Sequence, residues 1–358
     1  MRVHLVDPAA YTPPYDHALS AALARAGARV TLVTGPFAHG AVPRMPGYDV
    51  DERFYRWSPA RGRRGARLVQ HVPDMLRYRR TAVRDADVVH FQWLPVQPVD
   101  LRMLPAVRPR LLTAHDVLPR EPRPGQLEAQ RRLYARMDGV VVHSEHGRAR
   151  LVDTLGVDPA KVEVIPHGAF THLADQPAGP PPFATGKPVV LLFGLLRPYK
   201  GLDVLLEAWR GIEDAELWIV GRPFGVTLPD PAPPGVRILP RFVDDAEIPG
   251  LFARADVVVL PYREIDQSGV LFTALAFGKP LVLSDVGGFA EVAAHGAAEL
   301  VPPGDPAALR EALTGLLGDD ERRAALAAAS ARAAREEYSW DAIAARHLDL
   351  YARLGAPS

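Results

Sequence analysis

Residues 189–201 read Val-Val-Leu-Leu-Phe-Gly-Leu-Leu-Arg-Pro-Tyr-Lys-Gly. Apolar character is continuous rather than alternating over Val189–Phe193, which predicts a strand buried on both faces, as in parallel sheets. Glycine then breaks the strand, two cations follow, and Leu202–Trp209 reads as an amphipathic helix. A loop of this kind lies beyond the carboxyl end of a strand, where open parallel sheets hold their ligands. Gly194 permits a tight turn, and Arg197 and Lys200 suit a diphosphate, one as a planar fork and the other as a compact charge. Lysine is scarce, occurring only at 161, 187, 200 and 279. The competing reading of the same loop is a solvated helix start with two surface cations.

The same rhythm extends in both directions. Downstream, Glu216–Val220, Val236–Leu239, Val257–Leu260 and Leu281–Ser284 read as strands, with a helix near Gly269–Phe277. Upstream, Val3–Val6 precedes a helix over Asp16–Ala26 closed by Gly27, and Val30–Val33, Val88–Phe91, Leu111–Thr113, Val140–His143 and Val162–Ile165 continue the series. Strand–helix alternation at this spacing predicts a doubly wound α/β class. The Pro-rich stretch Pro177–Pro182 predicts a linker between two Rossmann-like domains joined near residue 175. A final helix over Trp340–Leu354 stops before Gly355 and Pro357.

Composition agrees with this class. The chain has 358 residues, 48% hydrophobic and 23% charged, long enough for two buried cores. Its 36 prolines are about twice the usual share. Lys+Arg and Asp+Glu are 42 each, so no global basic field for nucleic acid exists. Cysteine is absent, which removes disulfides, thiolate nucleophiles and Cys-bound metals. Asp7 interrupts any signal-peptide hydrophobic region, and no apolar run approaches the ~20 residues needed to span a bilayer. The default expectation is a cytoplasmic protein.

Four other segments carry candidate chemistry. Asp266-Gln267-Ser268-Gly269-Val270-Leu271 follows a strand and opens a helix, so its backbone N–H groups suit an anion. Ser268 as an ordinary helix cap is the alternative. Thr113-Ala114-His115-Asp116 ends a strand, where His115 could donate to a polar ligand with Asp116 orienting it. The loop Asp7-Pro8-Ala9-Ala10-Tyr11-Thr12 is a further candidate lining, although Asp16 could simply cap the next helix. Arg61, Arg63, Arg64, Arg67, Arg77, Arg79 and Arg80 crowd one stretch with Asp74 as its only acid. Interleaved Leu68, Val69, Val72, Met75 and Leu76 make it either a peripheral contact for anionic lipid or a solvated face. Pro73 is expected to break or kink a helix there. No G-x-G-x-x-G, H-E-x-x-H or G-x-S-x-G motif occurs.

Taken in order, Thr-Ala-His-Asp (113–116), Val-Val-His-Ser-Glu (141–145), Val-Ile-Pro-His-Gly (164–168), Phe-Gly-Leu-Leu-Arg-Pro-Tyr-Lys-Gly (193–201), Ala-Asp-Val-Val-Val-Leu-Pro-Tyr (255–262), Gln-Ser-Gly-Val-Leu (267–271) and Ser-Asp-Val-Gly-Gly-Phe-Ala-Glu (284–291) resemble the retaining glycosyltransferases of family four, with the GT-B fold. The resemblance covers nearly the whole chain. It implies two Rossmann-like domains facing across a cleft: an acceptor-binding domain (1–172), a nucleotide-sugar-binding domain (173–338), and a last helix (339–358) crossing back to the first. It implies hexosyl transfer from a UDP- or GDP-sugar to a hydroxyl acceptor (small molecule, glycan or lipid-linked), with no metal or other cofactor. Arg197 and Lys200 match the cations on the donor diphosphate, and His115 matches the histidine that approaches the transferred sugar. Arg241-Phe242-Val243 falls where the family's backbone reads the nucleobase; Gly194, Ser268, Gly269, Val270, Leu271 and Thr273 complete the donor contacts, and Tyr11 and Asp116 line the acceptor side.

The chain departs from the family pattern twice. Leu195 stands where many members carry arginine, and the family's paired glutamates fall on Ile265 and Thr273. The carboxylate contact to the sugar then passes to Asp266 or Glu264, and Thr273 offers the ribose only a hydroxyl. The same architecture also serves nucleotide-sugar epimerases, phosphorylases and non-catalytic sugar-nucleotide-binding proteins. A phosphorylase needs a pyridoxal-phosphate lysine, for which Lys161, Lys187 and Lys279 have no suitable context.

Overall fold

The structure, a computed structural model, describes residues 1–37, 45–58, 64–119, 122 and 124–357. Arg61 and Arg63 of the basic stretch lie outside the described residues. The chain divides into two units, Met1–Gly168 with Trp340–Ser358, and Ala169–Ser339.

The first unit holds strands β1 (Arg2–Asp7), β2 (Arg29–Thr34), β3 (Asp49–Glu52), β4 (Val88–Phe91), β5 (Arg110–Thr113), β6 (Gly139–Val142) and β7 (Val162–Val164). They form a parallel sheet in the order β3-β2-β1-β4-β5-β6-β7. The second holds β8 (Val189–Phe193), β9 (Glu216–Val220), β10 (Val236–Leu239), β11 (Val257–Leu260), β12 (Leu281–Ser284) and β13 (Ala298–Val301). Its order is β10-β9-β8-β11-β12-β13, again parallel. Each is a Rossmann-like α/β unit. The central strands β4, β5, β6, β11 and β12 are buried at every position. Helices cover both faces of such strands, which is why their sequences are unbroken apolar runs.

Every strand read from the sequence is present, and two edge strands were not read. β3 is Asp-Val-Asp-Glu, and charge on an edge strand hinders pairing with another chain while hiding the hydrophobic signal. β13 is only partly buried, with Leu300 40% exposed. The helix placed at Asp16–Ala26 begins earlier, at Pro13, because proline is well tolerated in a first turn. The expected break at Pro73 is absent: one helix runs Arg64–Asp85. Proline at 73 frees the Val69 carbonyl, and Val69 is 76% exposed, so water can take that bond.

The last helix, Trp340–Arg353, belongs to the first unit. It buries Trp340, Ile343, Ala344, His347, Leu350 and Tyr351. Gly168 makes room for it, since a Cβ there would lie 2.5 Å from the Trp340 ring. Tyr351 Oη pairs with His90 Nδ1 at 2.7 Å, and Arg353 with Glu163 at 2.9 Å.

Candidate active site

In a doubly wound sheet the strand order reverses at one place, and the loops beyond the carboxyl ends of the two strands there diverge to leave a crevice. In the second unit those strands are β8 and β11. The loop after β8 carries Gly194, Arg197 and Lys200; the loop after β11 carries Glu264, Asp266 and Ser268. Sequence reasoning placed these residues at strand ends, and the structure brings the two loops into contact.

Glycines make that contact close. Gly201 adopts φ +67°, and a Cβ there would fall 1.9 Å from the Pro261 carbonyl oxygen. Arg263, which sequence reasoning passed over, ties the same seam: its backbone N–H donates to Tyr199 O at 2.7 Å, and its guanidinium donates to Pro198 O and pairs with Asp203. Gly194, at φ +100°, leaves space where a Cβ would be 3.1 Å from both Lys200 Nζ and Val270. Lys200 is buried, donates to Phe193 O at 3.1 Å and lies 5.1 Å from the Tyr262 ring centre. Arg197 is half-buried, with its guanidinium 5.0 Å over Phe224. A buried ammonium and a shielded guanidinium thus share one loop.

On the β11 side, Ile265 is buried and Asp266 half-buried, while Glu264 is exposed. Ser268 is buried just before the helix Gly269–Ala276, yet its hydroxyl makes no capping bond. The ordinary-cap alternative is therefore not the one adopted. Val270 is half-buried and Leu271 fully buried. Thr273 donates its hydroxyl to Gly269 O at 3.0 Å, so that oxygen already serves the helix. Beyond β10, Arg241 pairs with Glu247 at 2.6 Å and donates to Phe242 O, leaving the Phe242 ring half exposed.

In the first unit the reversal lies between β1 and β4. Asp7 ends β1, and its carboxylate accepts from the backbone N–H groups of Ala9, Tyr11 and Thr12, which folds the loop around it. Asp16 is buried beside it rather than at the helix cap. Burial and the Asp7 charge push Asp16 well above the usual carboxylate range. Tyr11 is 59% exposed and meets Trp93 edge-on, with ring centres 5.3 Å apart. Trp93 donates to Thr12 Oγ1 at 2.9 Å and stacks on His115 at 5.3 Å.

His115 takes its orientation from Gln92 and His143. His143 Nδ1 donates to Ile165 O at 3.0 Å, since a carbonyl can only accept. Burial pushes His143 down to about 4, so its Nε2 is a lone pair that accepts from His115 Nδ1 at 3.1 Å. Burial, then His143, depresses His115 too, so its Nε2 is an acceptor facing the Gln92 amide at 3.1 Å. Exchanging the two amide ends of Gln92 supplies the donor and satisfies a buried nitrogen that otherwise has no partner. In this arrangement His115 Nδ1 donates to His143 and Nε2 accepts from Gln92, so both ring nitrogens are engaged within the first unit. Asp116 is exposed. Trp93 and Gln92 carried no motif signal, although both sit just beyond a strand end; His143 lay within the Val-Val-His-Ser-Glu stretch but was given no role there.

Comparison with known proteins follows this division. A model described as Glycosyltransferase Family 4 matches residues 15–172, and one described as Glycosyl transferases group 1 matches 187–319. The phosphatidyl-myo-inositol mannosyltransferase of Mycobacterium leprae is 36% identical over 225 residues, 60% of this chain and 58% of that protein. The D-inositol 3-phosphate glycosyltransferase of Xylanimonas cellulosilytica is 30% identical over 259 residues, 64% of this chain and 60% of that protein. The matched regions thus span about 60% of the length of these relatives. Among solved structures, sucrose-phosphate synthase from Thermosynechococcus elongatus superposes with a TM-score of 0.78 at 20% identity over 100% of both chains. Anabaena HepE in complex with UDP-glucose gives 0.74 at 20% identity over 99% of this chain and 100% of that one. With a family model matching each unit and the GT-B fold throughout, the chain belongs to the family 4 glycosyltransferases.

Proposed function

We propose that the protein is a retaining glycosyltransferase moving a hexosyl group from a UDP- or GDP-sugar to a hydroxyl of a polyol or glycolipid acceptor. The observation that carries this reading is the buried Lys200 ammonium, with Arg197 on the same loop, at the carboxyl end of β8. In the proposed reaction the anomeric carbon–oxygen bond to the diphosphate breaks through an oxocarbenium-like state. The acceptor oxygen bonds to the anomeric carbon on the same face, and its proton passes to the departing phosphate oxygen. Arg197 and Lys200 stabilise the charge that develops on that diphosphate, the kind of term that is usually largest in catalysis. With these cations in place, and the backbone N–H groups of Gly269 and Val270 at the start of the next helix, the reaction needs no metal. Asp266 holds a sugar hydroxyl where Ile265 replaces the family's glutamate.

Polyol and glycolipid acceptors are favoured by the names of the relatives, which include the GDP-mannose:glycolipid 4-beta-D-mannosyltransferase of Xanthomonas campestris, 28% identical over 257 residues. Peripheral contact with an anionic bilayer suits such an acceptor, and the helix Arg64–Asp85 supports it through exposed Leu68, Val69, Val72, Leu76 and Val83 beside Arg77, Arg79 and Arg80. Among the described residues no helix is long and apolar enough to cross a membrane. The test is nucleoside diphosphate release from a panel of nucleotide-sugars, with and without inositol or glycolipid acceptors, repeated in chelator. Acceptor-dependent release that survives chelation supports the proposal. No turnover with any donor, or strict need for Mg²⁺ or Mn²⁺, overturns it.

A further inference from the structure

The first unit holds a hollow of about 690 Å³ lined by Arg79, Arg102, Arg110, Arg132 and Arg136, the rest of its lining being leucine and alanine. Arg110 begins β5, so the hollow lies at the amino-terminal edge of the sheet, the opposite end of the strand that leads to His115. Arg79 comes from the Arg64–Asp85 helix and Arg102 from the Gln97–Met103 helix. Arg132 and Arg136 come from the end of the Gln126–Ala135 helix. No carboxylate is among the described residues that line it. The nearest acids are engaged: Glu128 pairs with Arg131 and Arg132, and Asp138 pairs with Arg108 while accepting from the Arg110 backbone N–H.

Part of this charge has a structural use. Arg110 donates to Pro105 O at 2.8 Å and to Arg136 O at 3.1 Å, Arg79 to Arg102 O at 3.4 Å, and Arg102 to Pro98 O at 2.9 Å. The Arg102, Pro105 and Arg136 carbonyls lie at or just beyond helix carboxyl ends, where cations are favourable. With Arg132 already paired to Glu128, these bonds leave Arg79, Arg102, Arg110 and Arg136 around one hollow with no carboxylate among the described residues that line it. Arg110 is 8% exposed, yet its buried Nε–H has no partner. Its burial, then the neighbouring Arg108 and Arg136 cations, disfavour its charge and outweigh Asp138, which favours it. A ligand anion is what this set lacks.

We propose that the hollow is a second anion site, separate from the Arg197–Lys200 loop, that takes a ligand carrying two or more phosphate groups. Its volume falls in the range of small-ligand pockets, roughly 300–1,000 Å³. Guanidinium forks match phosphate oxygens in pairs, and the four left beside the Arg132–Glu128 pair exceed what one carboxylate could neutralise. A soluble polyphosphate and a phosphorylated lipid head group share this chemistry.

The test uses the full chain carrying Arg197→Ala and Lys200→Ala, which removes the other diphosphate site, titrated with sodium tripolyphosphate by calorimetry. One site per chain is expected to persist. Adding Arg102→Gln and Arg136→Gln, both at exposed positions, should weaken it ~10-fold or more, since each charged hydrogen bond is worth roughly 1.5–3 kcal/mol. No tripolyphosphate binding to the Arg197→Ala, Lys200→Ala chain, or binding indifferent to Arg102 and Arg136, overturns the proposal. Vesicles of phosphatidylcholine with phosphatidylinositol bisphosphate identify the source. Sedimentation that depends on Arg102 and Arg136 assigns a lipid head group, and tripolyphosphate binding without sedimentation assigns a soluble ligand.

Discussion

An ammonium buried as Lys200 is, with the Phe193 carbonyl as one acceptor, has lost much of its hydration, and in the proposed reaction the donor diphosphate replaces it. Removing such a group costs more in the transition state, where the phosphate carries extra charge, than in the ground state. Lys200→Ala and Arg197→Ala are therefore each expected to lower turnover by ~10²-fold or more. Calorimetry with the nucleoside diphosphate should show weaker binding in both, and unchanged affinity and turnover would remove the assignment. Asp266 differs from Glu264 in being half-buried rather than exposed. Asp266→Asn should thus reduce donor turnover by ~10-fold, the worth of one charged hydrogen bond, while leaving nucleoside diphosphate affinity nearly intact. A larger loss in Glu264→Gln would move the role to that residue.

The seam between the loops after β8 and β11 depends on elements approaching more closely than side chains allow. Gly201→Ala adds a Cβ 1.9 Å from Pro261 O at a positive φ, so the loops must part. The expected cost is ~1–3 kcal/mol of stability, with weaker nucleoside diphosphate binding, read by denaturant unfolding and calorimetry. An unaltered unfolding curve would mean the seam is not tight. The Arg64–Asp85 helix makes a different demand, because among the described residues its apolar stripe of Leu68, Val69, Val72, Leu76 and Val83 is left exposed. Arg77, Arg79 and Arg80 each contribute about 1 kcal/mol near an anionic surface, and salt screens them. Co-sedimentation with phosphatidylserine vesicles at low and physiological salt is the check. Val69→Glu with Leu76→Glu should abolish binding, and failure of the unaltered chain to sediment at both salts leaves a solvated face.

At the scale of the molecule, histidine burial divides the two units. Burial pushes His143 to about 4, His167 to about 3, and His347 and His4 to about 4, all in the first unit. In the unfolded chain each titrates near 6.5. Below that pH the unfolded state binds protons that the native state refuses, so the histidine contribution to stability falls as pH drops from about 6.5 towards 4 and is flat above. Each unit of pKa depression is worth roughly 1.4 kcal/mol, and several groups act together. The second unit holds only His172 and His295. Hydrogen exchange at pH 5 against pH 7.5 should therefore show the first unit losing protection before the second. Equal loss in both would contradict this account.

The α/β class, the order of the central strands along the chain and the placement of Arg197, Lys200, Asp266 and His115 at strand ends were legible in the sequence. Each rests on a local cause: a strand buried on both faces must be apolar throughout, and polar or turn residues mark where it ends, Gly194 after β8 and Pro261 after β11. Spatial partnership is not local. That Gly201 meets Pro261, that Arg263 closes the same seam, and that Thr273 spends its hydroxyl on Gly269 depend on residues far apart in the chain or on a helix's own geometry. The polarity of His115 came only from a chain of hydrogen bonds through His143 to the Ile165 carbonyl. Likewise, arginines at 79, 102, 110, 132 and 136 form one basic hollow only because three helices and the start of β5 converge. Sequence determines which groups are available and which face they prefer; packing decides which of them meet.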